Sequence, residues 1–220
     1  MLFISHIYTA TRLQKQLKIQ RGDVYCFASV LPDIRYVTNL ERKRTHVQLE
    51  SLQKYFRSDS DLYKGYYLHL LIDEYMGQWG FHERLRAQYP KMLQSLLKPI
   101  LLNVILELYA WEHLNKTHRI RLNATYFPEY RKFGMKQAEV ERYASYIQAM
   151  LDDFSIETAT QVILSDPKLA DNKKVAKYKQ IGSLILNFAP LKWYLLGKVH
   201  HIYNLFVKDL ERRIVSDIFT

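Results

Sequence analysis

Residues 62–76 read LYKGYYLHLLIDEYM and follow Ser58, Asp59, Ser60 and Asp61, a run of N-cap candidates. The segment predicts a helix that stops near Gly77 and Gly80. His69 and Asp73 are four residues apart on it, so an imidazole and a carboxylate share one face about one turn apart. Their neighbours Leu68, Leu70, Leu71 and Ile72 mark this helix as surrounded by protein, where a carboxylate needs a partner. Two readings fit. The pair grips a metal ion through nitrogen and oxygen, or Asp73 bonds a buried Tyr, an Arg or His69 itself.

Outward from this helix the pattern stays helical. His6, Ala10, Leu13 and Leu17 fall at i, i+4, i+7 and i+11, a first helix with a histidine on its apolar face. Gly22 resets the chain, Val24 to Val30 continue as an apolar segment, and Pro32 biases Leu31 out of the α region, which leaves Asp33 in a loop. Thr45-x-x-Gln48 reads as a capping box opening a helix with His46 in its first turn. Pro90 and Pro99 begin or kink two helices over roughly 90–114. Val140, Tyr143, Ala144, Ile147 and Leu151 form one amphipathic stripe, and Leu195, Val199, Ile202, Phe206, Leu210 and Ile214 another.

With 7 Gly and 6 Pro in 220 residues, there is too little turn chemistry for a sandwich or barrel of many short strands. The apolar share of 48% supplies a large core and argues against disorder. The expectation is an all-α, single-domain helical bundle over residues 1–220. Within it, 1–82 carries the candidate ligands, and 83–220 supplies scaffold, pocket wall and extra C-terminal helices.

A net charge of +10 points to phosphates, nucleic acid or an anionic membrane surface in the working environment. The lone cysteine, Cys26, forms no internal disulfide, so nothing requires an oxidising compartment. The longest uncharged stretch, Gln180 to Leu191, falls short of the ~20 apolar residues of a membrane-spanning helix. The opening MLFISHIYTATR has no basic leader and too short an apolar run for a secretory signal, which implies a cytoplasmic protein.

Three further ligand types precede the His69–Asp73 pair: His6, Asp33 directly after Leu-Pro, and His46. Singly, these suit a core histidine, a turn former and an exposed first-turn residue. In order, S-H-I-Y-T-A (Ser5 to Ala10), F-A-S-V-L-P-D (Phe27 to Asp33), R-T-H (Arg44 to His46) and G-Y-Y-L-H-L-L-I-D (Gly65 to Asp73) resemble the zinc-dependent phospholipase C family, related in fold to single-strand nucleases of the S1/P1 type. The resemblance covers about residues 1–82. It implies that Asp33, His46, His69 and Asp73 surround one metal and that His6 and Asp73 belong to a second, with Asp73 as bridge. It also implies phosphodiester hydrolysis by metal-bound water, with Asp33 helping to deprotonate that water, chemistry for which paired cations are suited. His82 is a possible member of the family's third site, although no H-x-x-x-E follows to complete it. One or two ions are expected, with zinc favoured and manganese or iron compatible with the oxygen-rich donor set. The absence of a His-Asp dipeptide sets aside the HD phosphohydrolases.

Arg35, Arg42 and Arg44, beside Asp33 and His46, are candidates for substrate phosphate; each also suits a solvated loop. Tyr66 and Tyr67 flank the ligand helix as candidate pocket walls. Lys91 to Lys132 mixes basic residues with Tyr109, Trp111, Tyr126 and Phe127, a pattern that suits either base stacking or core packing. Glu112, His113, His118, His200 and His201 read as structural or solvated. The leading functional expectation is a metal-dependent phosphoesterase. The other is a non-catalytic all-helical interaction protein whose basic surface contacts nucleic acid or anionic lipid.

Overall fold

The computed structural model describes residues 3–36, 38, 40–46, 59–117, 120–122, 125, 128–155, 180, 183 and 187–219. Among these residues all regular structure is helical. The helices are α1 (Phe3–Leu13), α2 (Gly22–Ala28), a 3₁₀ helix (Leu31–Tyr36), α3 (Arg42–Thr45), α4 (Asp61–Trp79), α5 (Phe81–Arg86), α6 (Lys91–Gln94), α7 (Pro99–Thr117), α8 (Glu129–Lys132), α9 (Gln137–Asp152) and α10 (Ala189–Phe219). The all-α reading holds. No helix is long and apolar enough to cross a membrane among these residues.

One continuous hydrophobic cluster runs from Phe3 in α1 to Ile214 in α10, so both parts of the chain share a core. The two amphipathic stripes read from the sequence are buried along their whole lengths in α9 and α10. Helix α4 packs most extensively on α2, while α1 packs on α7 and α7 on α10. Gly65 is what lets α4 approach α2. A Cβ added there would lie 2.3 Å from the Tyr25 carbonyl oxygen and 2.8 Å from the Ala28 Cβ. Ser60 is the N-cap of α4, and Gly80 ends it with φ +65, the left-handed conformation that glycine adopts without strain.

Two local expectations are corrected. Asp33 sits in the first turn of the 3₁₀ helix instead of a loop, because Pro32 is tolerated near a helix start, where its missing N–H costs nothing. His46 is the C-cap of α3, its N–H donating to the Arg42 carbonyl, and so ends a one-turn helix instead of entering one. The other half of the proposed capping box, Gln48, lies outside the described residues. The first helix also stops at Leu13, and Leu17 reaches the core from the turn that follows.

Candidate metal centre

Four elements deliver the candidate ligands: α1 carries His6, the 3₁₀ helix Asp33, the end of α3 His46, and α4 both His69 and Asp73. Their donor atoms meet. His6, His69 and Asp73 form one group, and Asp33, His46 and His69 a second, with the atoms of each group within 4.8 Å of one another. His69 belongs to both. Asp73 faces both ways, Oδ1 lying 3.4 Å from His6 Nε2, while Oδ2 lies 3.4 Å from His46 Nε2 and 3.7 Å from His69 Nε2. Asp33 Oδ1 closes the cluster at 3.9 Å from His46 Nε2.

These separations fit ligation better than direct hydrogen bonding. An N–H···O bond prefers about 2.7–3.2 Å, whereas donors arranged tetrahedrally at about 2.1 Å from a cation stand about 3.4 Å from one another. The imidazoles are oriented accordingly. His69 Nδ1 donates to the Ser29 carbonyl at 2.9 Å, and His46 Nδ1 meets the Thr45 hydroxyl at 3.0 Å, so in both rings Nε2 faces the carboxylates. The Nε2 atoms of His46 and His69 are buried without a hydrogen-bond partner, a costly condition that a cation removes.

The local electrostatics keep His69 available as a neutral ligand. Burial, reinforced by neighbouring His6, pushes the His69 imidazole down to about 4. The His6 and His69 rings stack at 4.3 Å between centroids, a contact that two imidazolium cations would oppose. Burial by itself would raise the Asp73 carboxyl, but the imidazoles of His46, His6 and His69 that face it hold it well below the usual carboxylate range. Asp73 is therefore a carboxylate, as a metal ligand must be.

Of the remaining candidates, two arginines border the cluster. Arg42 Nη2 lies 3.4 Å from Asp73 Oδ2, and Arg35 Nε lies 3.7 Å from Asp33 Oδ1 while its guanidinium covers the Tyr36 ring. Arg44 is not brought in: its guanidinium lies beside Gly134, and among the described residues it makes no ion pair with Asp33 or Asp73. His82 is also elsewhere. Its Nε2 hydrogen-bonds Asn103 Oδ1 at 2.6 Å, and it stands in neither ligand group. Tyr66 and Tyr67 are buried in the core, and the Tyr66 hydroxyl donates to the Thr45 carbonyl at 2.5 Å, anchoring the backbone just before His46.

The more distant candidates serve the fold. Glu112 pairs with Lys192 at 2.5 Å, His113 Nδ1 bonds the Tyr109 carbonyl, and His200 Nδ1 bonds the Tyr109 hydroxyl. Tyr109 is buried and Trp111 donates to the Leu151 carbonyl, so both belong to the packing, while His118, Tyr126 and Phe127 lie outside the described residues.

Glu107 is the positioning residue that the sequence pattern did not disclose. It is buried on α7, and its two carboxylate oxygens accept the Ile4 and Ser5 backbone N–H groups at 2.8 and 3.0 Å. That clamp holds the first turn of α1, whose dipole favours a negative charge, and so sets where His6 meets Asp73. A buried acid in an otherwise apolar helical run, LLNVILELYA, was the available signal. No protein-family model, curated protein or solved structure matches this chain.

Proposed function

We propose that this chain is a metal-dependent phosphoesterase acting on a phosphodiester or other phosphate ester. The supporting observation is the convergence of His6, Asp33, His46, His69 and Asp73, from four separate elements, at the mutual distances of donors around divalent ions. The resemblance of residues 1–82 to zinc-dependent phospholipases C predicts the same five residues and suggests zinc, one or two ions. A divalent ion held by these residues would supply Lewis acidity and make water more acidic. The chain's own side chains then divide the work. Asp73 turns Oδ1 toward His6 and Oδ2 toward His46 and His69, and Asp33, at the buried edge beside Arg35, would take the proton released by the attacking water. Arg35 and Arg42 offer guanidinium donors to phosphate oxygens at the rim, where bidentate recognition is strongest.

The test is metal analysis of protein purified without added metal, followed by hydrolysis of bis-p-nitrophenyl phosphate with and without chelator. One or two equivalents of metal and cleavage abolished by chelator are expected. Bound metal without cleavage of any member of a broad phosphoester panel would remove the catalytic reading and leave a structural metal site.

A further inference from the structure

Away from the ligand cluster, the most exposed apolar side chains lie on two segments that meet at Tyr89. Met92 is 78% exposed and Leu96 58% on the chain around α6, and Phe188 and Trp193 are each 56% exposed at the start of α10. The two segments are joined where the Tyr89 hydroxyl donates to the Leu195 carbonyl at 3.1 Å and the Tyr89 and Tyr194 rings meet edge to face at 6.3 Å. A water-soluble surface rarely concentrates Met, Leu, Phe and Trp this way without a partner.

Both segments are poor in acids along the sequence, although Glu112 reaches the second through its ion pair with Lys192, next to Trp193. The sequence has no Asp or Glu between Glu83 and Glu107, and none between Asp171 and Asp209. Lys91 and Lys98 are exposed, Lys198 lies over the Tyr194 ring, and among the described residues none of the three forms an ion pair with an acid. Apolar side chains, interfacial aromatics and lysines without an acidic partner on two adjoining segments match the boundary between acyl chains and anionic headgroups, where apolar groups insert and amines stay at headgroup depth. A nucleic acid accounts for the lysines and the aromatic rings but gives no favourable site to Met92 and Leu96.

We propose that the α6–α10 junction is a peripheral attachment surface for an anionic phospholipid bilayer, with Met92, Leu96, Phe188 and Trp193 entering the interface and Lys91, Lys98 and Lys198 contacting headgroups. The surface is separate from the ligand cluster in the sequence, and its test needs no catalysis.

The full chain is floated with phosphatidylcholine vesicles with and without phosphatidylserine, at low and high salt. Expected is flotation with phosphatidylserine vesicles that salt weakens, with a blue shift of fluorescence that Trp193→Phe removes. Met92→Ser combined with Trp193→Ser, both at exposed positions, should weaken binding by about tenfold or more, and Lys91→Glu with Lys98→Glu should do so by a separate route. Circular dichroism checks that the variants fold. Vesicle binding indifferent to both variant pairs would overturn the proposal, as would failure to bind phosphatidylserine vesicles at a protein concentration that retains single-stranded RNA.

Discussion

Asp73 is the side chain on which the cluster turns, because its two oxygens face different histidines. Asp73→Asn replaces one oxygen with an NH₂ donor that cannot ligate a cation. It should lose at least one metal equivalent and all chelator-sensitive turnover, measured by metal analysis and ester hydrolysis. His200→Ala, at an exposed position outside the cluster, should change neither. If Asp73→Asn retains both metal and activity, the ligand assignment on α4 is wrong. The metal-free protein should also show a defined pH dependence. His69 titrates at about 4 when folded and near 6.5 when unfolded, so across that window the unfolded chain binds a proton that the native chain does not. Stability therefore falls as pH drops from about 6.5 to about 4. Asp73, held below its ordinary value of 3.8, extends the loss to still lower pH. Denaturant unfolding of chelated protein across a pH series checks this, and His69→Gln should flatten the slope in the upper window.

At the scale of elements, the site depends on how closely helices approach and how their ends are held. Gly65→Ala would drive a methyl group into the α2 backbone, which is not a flexible side-chain end, so α4 must move away from α2. The expected cost is about 2 kcal/mol or more, read as a lowered unfolding midpoint, and Gly77→Ala, with open space around the added carbon, is the control. Glu107 acts from the opposite side of α1. Burial pushes its carboxyl up, while the backbone hydrogen bonds from Ser5 and Ile4 favour the charged form. Glu107→Ala leaves two buried N–H groups unpaired, at about 1–3 kcal/mol each. It should both lower the melting temperature and weaken metal occupancy at the His6 side. Glu107→Gln keeps one acceptor and should fall between wild type and alanine. The ordering of the three proteins by thermal melt and metal titration is the measurement.

For the whole molecule, ions at this centre would tie α1, the 3₁₀ helix, α3 and α4 together and so couple metal binding to folding. An ion at one hundred times its dissociation constant contributes about 2.7 kcal/mol, and in a chain of this size removing it should lower Tm by about 5–10 °C. Calorimetry before and after chelation reads this directly; an unchanged Tm would mean that no ion is stabilising the fold.

Helix existence was legible in the chain because periodicity is local. The 62–76 segment with its flanking cap and stop residues, and the stripes from Val140 and Leu195, became α4, α9 and α10. The five candidate ligands were nominated by the resemblance to zinc-dependent phospholipases C; the His69–Asp73 spacing by itself left a metal pair and a buried hydrogen-bonded pair both open. Other features required three dimensions. Asp33 and His46 were given the wrong local structure because turn geometry after Pro32 and Arg42 depends on neighbouring contacts. Glu107 lies 103 residues from Ile4, beyond any local pattern. Arg44 and His82 carried suitable chemistry but were packed elsewhere, while Tyr66 turned out to hold the backbone just before His46. The sequence by itself determined an all-helical chain, since periodicity is written in short-range spacing, and nominated a ligand set through a family resemblance. Only the tertiary structure decided which side chains meet, because that depends on how helices distant along the chain bury one another and where each buried polar group finds its partner.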